Sequence, residues 1–264
     1  MAYDHILFDV AEAVATITLN RAEHMNSVTG DVSPEMEGAL RIAEEDDAVR
    51  VIIVTGAGDR AFCAGADTGN LANRAEAGHD WTLRQLTGGI GGFTKMVRES
   101  SKPSIAAVNG VAAGIGMGIA LGCDLRVMAD TARFVPAFTR IGLTMDGGTT
   151  KLLPEAMGIQ RTFEMLYTSK PITASEALNA GLANRVVPSA DLMNTTRELA
   201  QEIANGPPIA IGFTKKALVR GLETDLESAL YYESYANWVC RQTQDSQEGV
   251  RAFQEKRRPR FAGR

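Results

Sequence analysis

Short apolar runs separated by turns fill roughly the first three-quarters of the chain, and amphipathic helical periodicity fills the rest. His5–Asp9 and Val14–Leu19 alternate as strands do and predict a hairpin. Ser33–Glu45 carries apolar residues at helical spacing, with Ser33 as the expected N-cap and Pro34 in the first turn. Val49–Thr55 is continuously apolar, the mark of a strand buried on both faces. A turn at Gly56–Asp59 follows, and Ala61–Gly65 leads into a more polar stretch. Trp81–Glu99 reads as a helix interrupted by the glycines between Gly88 and Gly92. Ser104–Val108 is a second buried strand, followed by a turn at Asn109-Gly110 and a glycine-spaced helix over Ile115–Cys123. Strands are expected at Leu125–Ala129, near Ala132–Val135 and at Val186-Val187, and helices at Thr149–Met157, Arg161–Thr168 and Ala174–Ala180. From there the pattern is helical: Asp191–Asn205, Pro208–Leu222, Asp225–Thr243 and a last turn around Glu248–Glu255.

This order predicts an α/β fold of repeated strand–turn–helix units. Gly206-Pro207-Pro208 is the best candidate boundary, giving a core over 1–205 and a helical region over 206–264. A long amphipathic tail cannot bury itself alone, so it is expected to pack on another subunit.

Composition narrows the classes. The 264 residues are 45% hydrophobic and 22% charged, with a net charge of −5. That balance argues against nucleic acid as a general partner, which needs a concentrated basic face. The basic run Lys256–Arg260 reads as a solvated end. Ser104–Leu125, the most apolar stretch, is broken by glycines and carries Asn109 and Asp124, so no membrane span is expected. No signal peptide is evident at the N-terminus. Cys63, Cys123 and Cys240 are widely spaced, without metal-ligand pairing, and fit free thiols in a cytoplasmic setting.

Two segments share one design. Arg60–Asp67 (RAFCAGAD) follows one buried strand, and Asn109–Gly118 (NGVAAGIGMG) follows the other. Each runs from a strand's carboxyl end into small residues, which let a ligand touch backbone. Helix N-termini leave N–H groups unpaired, and these stabilise negative charge. Two such donors converging on one oxygen make an oxyanion hole. The plainer alternative is close packing, since Gly114, Gly118 and Gly122 recur every four residues.

The pair FCAGAD and AAVNGVAAGIGMGIALGCDLRV resembles the crotonase family, the enoyl-CoA hydratase/isomerases. The likeness continues through Leu19-Asn20-Arg21, Arg140–Leu143, Ala174–Ala177 with Gly181-Leu182, and Glu248–Phe253. The resemblance implies a ββα spiral with a helical C-terminal trimerisation region, trimers often pairing into hexamers. It implies an acyl-CoA thioester as partner, with no cofactor beyond the coenzyme A of the substrate and no metal. The oxyanion donors it implies are the N–H groups of Ala64 and Ile115. Coenzyme A would lie along Arg21–Met25, including His24, and along Ala64–Asp67, including Ala66 and Asp67. Leu71 and Gly114 join the implied substrate-binding set, and Phe253 and Lys256 match tail positions near the nucleotide. Trp81, Leu86, Met117 and Phe138 are candidates for an acyl pocket, although core packing explains each as well.

Hydratases of the family carry two glutamates, and the matching positions here are Gly118 and Phe138, neither able to transfer a proton. A carboxylate stands slightly later, in Gly142-Leu143-Thr144-Met145-Asp146-Gly147-Gly148, where certain family isomerases place their acid. Asp146 is therefore the expected catalytic base of a double-bond isomerase. The competing reading makes it an N-cap for the helix at Thr149, where accepted N–H bonds would weaken it as a base. The alternatives are a hydratase with atypical acid/base residues, an aromatic acyl-CoA isomerase of the epoxyphenylacetyl-CoA type, and a non-catalytic acyl-CoA binder.

Overall fold

The computed structural model describes residues 3–67 and 91–264. The hairpin forms as expected: β1 (Ile6–Ala11) runs antiparallel to β2 (Val14–Leu19), with Ile6 opposite Leu19. Helix α1 (Val32–Glu45) buries Met36, Ala39, Leu40 and Ala43, a single stripe at helical spacing. It begins one residue before the expected start. Asp31 occupies the cap position without a side-chain bond, and Ser33 lies inside the helix. Pro34 keeps its place in the first turn, where a missing N–H removes no helical bond.

The core then spirals in strand–strand–helix units. The first unit is β3 (Val51–Gly56), β4 (Ala61–Cys63) and α2 (Gly92–Glu99). The second is β5 (Ser104–Val108), β6 (Val111–Ala113) and α3 (Ile115–Gly122). The third begins with β7 (Leu125–Ala129) and β8 (Arg133–Val135). After β8 come α4 (Thr149–Met157), α5 (Ile159–Thr168), β9 (Ile172–Thr173), α6 (Ala174–Asn179), β10 (Arg185–Val187) and α7 (Leu192–Ala204).

The first strand of each unit joins a six-stranded sheet ordered β1-β2-β3-β5-β7-β10, and the second joins a four-stranded sheet ordered β4-β6-β8-β9. Strands β3, β5 and β7 are mutually parallel, and so are β4, β6 and β8. Every residue of β3 and of β5 is buried, which accounts for their uninterrupted apolar sequence.

The second sheet was not anticipated at two of its strands. Ala61–Cys63 was expected to lead into a loop, and Val111–Ala113 to pass from a turn directly towards a helix. Three residues are too few to display alternation, and small side chains hide the strand character. The last helix is also longer than the single turn expected, spanning Gln244–Gln254 (α10).

Helices α8 (Pro208–Gly221) and α9 (Leu226–Arg241) complete the chain before α10. Helix α8 is pinned to the core by Lys215, whose ammonium donates to the carbonyls of Val97 (2.8 Å) and Lys102 (3.0 Å). Leu218, Leu222, Leu226, Tyr231 and Trp238 remain exposed along α8 and α9. No helix among the described residues is long and apolar enough to cross a membrane.

Candidate active site

The two bends expected to face one another do so, held by three backbone bonds to the segment after β2. Ala64 N–H donates to Met25 O (3.0 Å), Val28 N–H to Gly65 O (2.8 Å) and Asp67 N–H to Val28 O (3.0 Å). Parallel pairing of β4 with β6 carries the first bend to the second, with Cys63 opposite Ala112. At the crossing a side chain on Gly65 would stand 3.1 Å from Ala113 O and 3.9 Å from the Gly114 Cα. Gly114, with φ of 51° and ψ of −124°, turns the chain into α3.

This geometry corrects one of the two expected donors. Ala64 N–H is already committed to Met25. Ala66, two residues on and exposed, donates to no backbone carbonyl among the described residues. Ile115, the first residue of α3, has no carbonyl a turn earlier in its own helix, so its N–H is also available. Both lie next to the Gly65–Gly114 contact. Cys63, in the same bend, is not a nucleophile: burial pushes its thiol up to about 12, against a smaller opposing effect of a bond from Gly65.

Gly118, where the family likeness puts a hydratase glutamate, faces backbone. A Cβ there would stand 2.6 Å from the carbonyl oxygen of Gly147 and 3.0 Å from its Cα. Gly147, with φ of 61°, is in turn closed in by Ile115: a Cβ on it would meet Ile115 Cδ1 at 2.6 Å. The Asp146–Gly148 turn therefore occupies the ground beside α3 that a longer side chain at 118 would need.

Asp146 is not a helix cap. Gly148 holds the cap position of α4 with no side-chain bond, and Thr149 bonds the main-chain carbonyl of Asp146 through its N–H (3.1 Å) and its hydroxyl (2.8 Å). The carboxylate itself is half-buried, and its Oδ1 is enclosed with no hydrogen-bond partner. Burial raises its pKa to about 6. The ring of Phe138, itself buried, lies 3.8 Å from the point a Cβ on Gly114 would occupy. Phe138 thus forms an apolar wall at the second bend.

The remaining expected residues divide. Arg21 and Asp67 come together, guanidinium to carboxylate at 3.6 Å, with Arg21 also donating to Ser27 O (2.6 Å). His24 is exposed on a short helical turn, 3.9 Å from Glu23. Met117 is fully buried in the hydrophobic core, the packing alternative to a pocket-lining place. Phe253 and Lys256 stand exposed at the end of α10, with no bond to either bend among the described residues. Leu71, Trp81 and Leu86 fall outside the described residues.

Two buried asparagines were missed. Asn26, with φ of 55°, accepts from Arg21 N–H (3.0 Å) and donates to Ala57 O (3.0 Å) and Ala61 O (2.7 Å). Asn109 accepts from Gly56 N–H (3.2 Å) and donates to Gly58 O (2.8 Å) and Ala61 O (3.1 Å). Together they fix where β4 starts and hence where Ala66 points. The available signal was Asn itself: it tolerates left-handed backbone and mimics a peptide group.

A spiral of strand–strand–helix units with a helical C-terminal region is the crotonase fold. The enoyl-CoA hydratase/isomerase family model matches residues 9–264. The short-chain-enoyl-CoA hydratase of Clostridium acetobutylicum is 35% identical over 261 residues, covering 98% of this chain and 97% of that protein. The 1,2-epoxyphenylacetyl-CoA isomerase of Escherichia coli is 35% identical over 264 residues, covering 99% of each. A putative enoyl-CoA hydratase from Streptomyces coelicolor superposes with a TM-score of 0.94 at 31% identity, over 100% of this chain and 96% of that one. The chain belongs to the enoyl-CoA hydratase/isomerase family. That membership implies an acyl-CoA thioester as its substrate class.

Proposed function

We propose that this chain is a Δ3–Δ2 enoyl-CoA isomerase with Asp146 as its single acid/base. The observation that carries the reading is a half-buried carboxylate without a hydrogen-bond partner, on a turn packed against the first turn of α3. Asp146 takes a proton from C2 of a 3-enoyl-CoA. The electrons of that C–H bond move to the thioester oxygen, giving a dienolate held by the N–H groups of Ala66 and Ile115. Asp146 then returns the proton to C4 as the double bond settles between C2 and C3. A base of raised pKa suits both half-steps, because it releases the proton as readily as it takes it. The Arg21–Val28 and Ala64–Asp67 segments, bonded edge to edge, support one continuous run of backbone for coenzyme A. The exposed apolar residues of α8 and α9 support a homo-oligomer.

The test is turnover of a 3-enoyl-CoA to its conjugated isomer, followed by absorbance, in the parent and in Asp146→Asn. A fall of about 10²- to 10⁴-fold in kcat is expected, the usual contribution of a positioned acid/base. Unchanged turnover would remove Asp146 from the reaction.

A second reading rests on the relatives named hydratases. Hydration of a 2-enoyl-CoA by the parent protein, undiminished in Asp146→Asn, would favour it. Neither Gly118 nor Phe138 supplies an acid for that reaction. The relative named 1,2-epoxyphenylacetyl-CoA isomerase makes an aromatic acyl-CoA the natural second substrate to try. Binding of acyl-CoA without turnover on any of these would mark a binder.

A further inference from the structure

The side chain of Ile115 has no part in the chemistry above, yet it is packed closely against the turn that carries Asp146. Its Cδ1 fills the space a Cβ on Gly147 would take, and the residue is almost wholly buried. From the same helix face, Gly118 meets the Gly147 carbonyl with no side chain between them. The turn that carries Asp146 is thus seated in a notch on α3. The floor of the notch is Gly118, and its wall is the side chain of Ile115, whose N–H is the proposed donor to the thioester oxygen.

We infer that the Ile115 side chain is a positioning residue, which holds the Asp146 carboxylate at a fixed place beside the Ile115 N–H. The inference rests on the isomerase reading and deepens it. One residue then sets the spacing between the two groups that must act on adjacent atoms, the carbonyl oxygen and the carbon next to it. Misplacement of a reacting group by about 1 Å costs on the order of 100-fold.

The seat also keeps Asp146 away from partners. Helix α3 carries no charged residue. On α2, Lys95 pairs with Glu99 and Arg98 with Glu155. On α4, Lys151 pairs with Glu155 and Glu223. Glu37 of α1 lies against Gly92, at the start of α2. Burial is what raises the pKa of Asp146, so a turn that loosens from α3 and lets water in should lower it.

The experiment compares Ile115→Ala and Ile115→Val with the parent, and runs Asp146→Asn beside them, by pH–rate profiles on a 3-enoyl-CoA. Both substitutions keep the backbone N–H. For Ile115→Ala we expect kcat to fall about 10- to 100-fold with KM nearly unchanged. The acidic limb of the profile, near pH 6 in the parent, should move by about one pH unit towards the ordinary aspartate value of about 3.9. Ile115→Val should show the same two changes at smaller size. A fall in kcat with the limb unmoved in both variants would overturn the positioning role while leaving Asp146 as base. Full activity in Asp146→Asn would overturn the isomerase reading, and the positioning role with it.

Discussion

The two ends of α3 hold an aspartate each, under opposite conditions. Beyond its C-terminus, Asp124 Oδ2 accepts from Ser104 N–H (2.7 Å), the Ser104 hydroxyl (2.9 Å) and the Lys215 ammonium (2.9 Å). Beside its N-terminus, the Asp146 carboxylate accepts no hydrogen bond among the described residues, and one of its oxygens is enclosed. A carboxylate satisfied on several sides ties its neighbours together and does structural work. One seated in apolar surroundings without partners keeps a proton affinity near neutrality. The same residue type, at opposite ends of one eight-residue helix, is a clamp at one end and a candidate base at the other. What separates them is the supply of donors, and burial alone does not: both sites are only partly enclosed.

The largest test of that contrast is at the reactive end, where Asp146→Asn should remove 10²- to 10⁴-fold of isomerase turnover. Asp124→Asn should leave turnover close to the parent, since Asp124 touches neither bend by any hydrogen bond described. The next largest effect is at the clamp. Lys215→Met leaves the carboxylate and the carbonyls of Val97 and Lys102 without their cation. Breaking a largely buried pair on one side should destabilise by about 3 kcal/mol, seen as a lower denaturation midpoint. A midpoint equal to the parent's would show the clamp to be ornamental and erase the contrast.

The parts of the fold legible in the sequence were those whose residues carry a period. The hairpin, β3, β5, α4 and the helices α7 to α9 all show one, and their extents agree with expectation to within a residue or two. The second sheet was illegible at Ala61–Cys63 and Val111–Ala113 because three small residues make no pattern, and their pairing is set by contacts between distant segments. At the site, the two bends were legible as small residues after buried strands. Which N–H was free was not: Ala64 and Ala66 are the same residue type, and only the bond from Ala64 to Met25 tells them apart. Asp146 was equally readable as a cap or as a base. The bonds that Thr149 makes to its main-chain carbonyl, and not to its carboxylate, exclude the cap and leave the base as the proposal.

A smaller change at the reactive end sharpens how close the seating is. Gly118→Ala places a methyl 2.6 Å from Gly147 O, a rigid backbone atom that must give way. The Asp146 turn shifts, and kcat should fall about 10-fold or more, by the same sensitivity of catalysis to placement. The protein should remain folded by circular dichroism. Undiminished kcat in Gly118→Ala would mean that the turn has slack, and that Asp146 owes its position to something other than α3.

The smallest effect is thermodynamic and needs no substrate. The folded-state pKa of Asp146 lies above that of the unfolded chain, so the native state binds the extra proton between the two values. The stability this brings is fully present below about pH 3.9, the unfolded value, and is lost as pH rises through about 6. Asp146→Asn cannot titrate. Its stability relative to the parent should therefore increase with pH across that window and level off above it. Asp124→Asn is the comparison from the other end of α3, where the carboxylate takes three donors. Urea denaturation midpoints of the three proteins at about pH 3, 4, 5, 6 and 7 would read the difference, a range that brackets both pKa values. Parallel curves for Asp146→Asn and the parent would mean that the carboxylate is solvated in solution, and the two ends of α3 would then be alike.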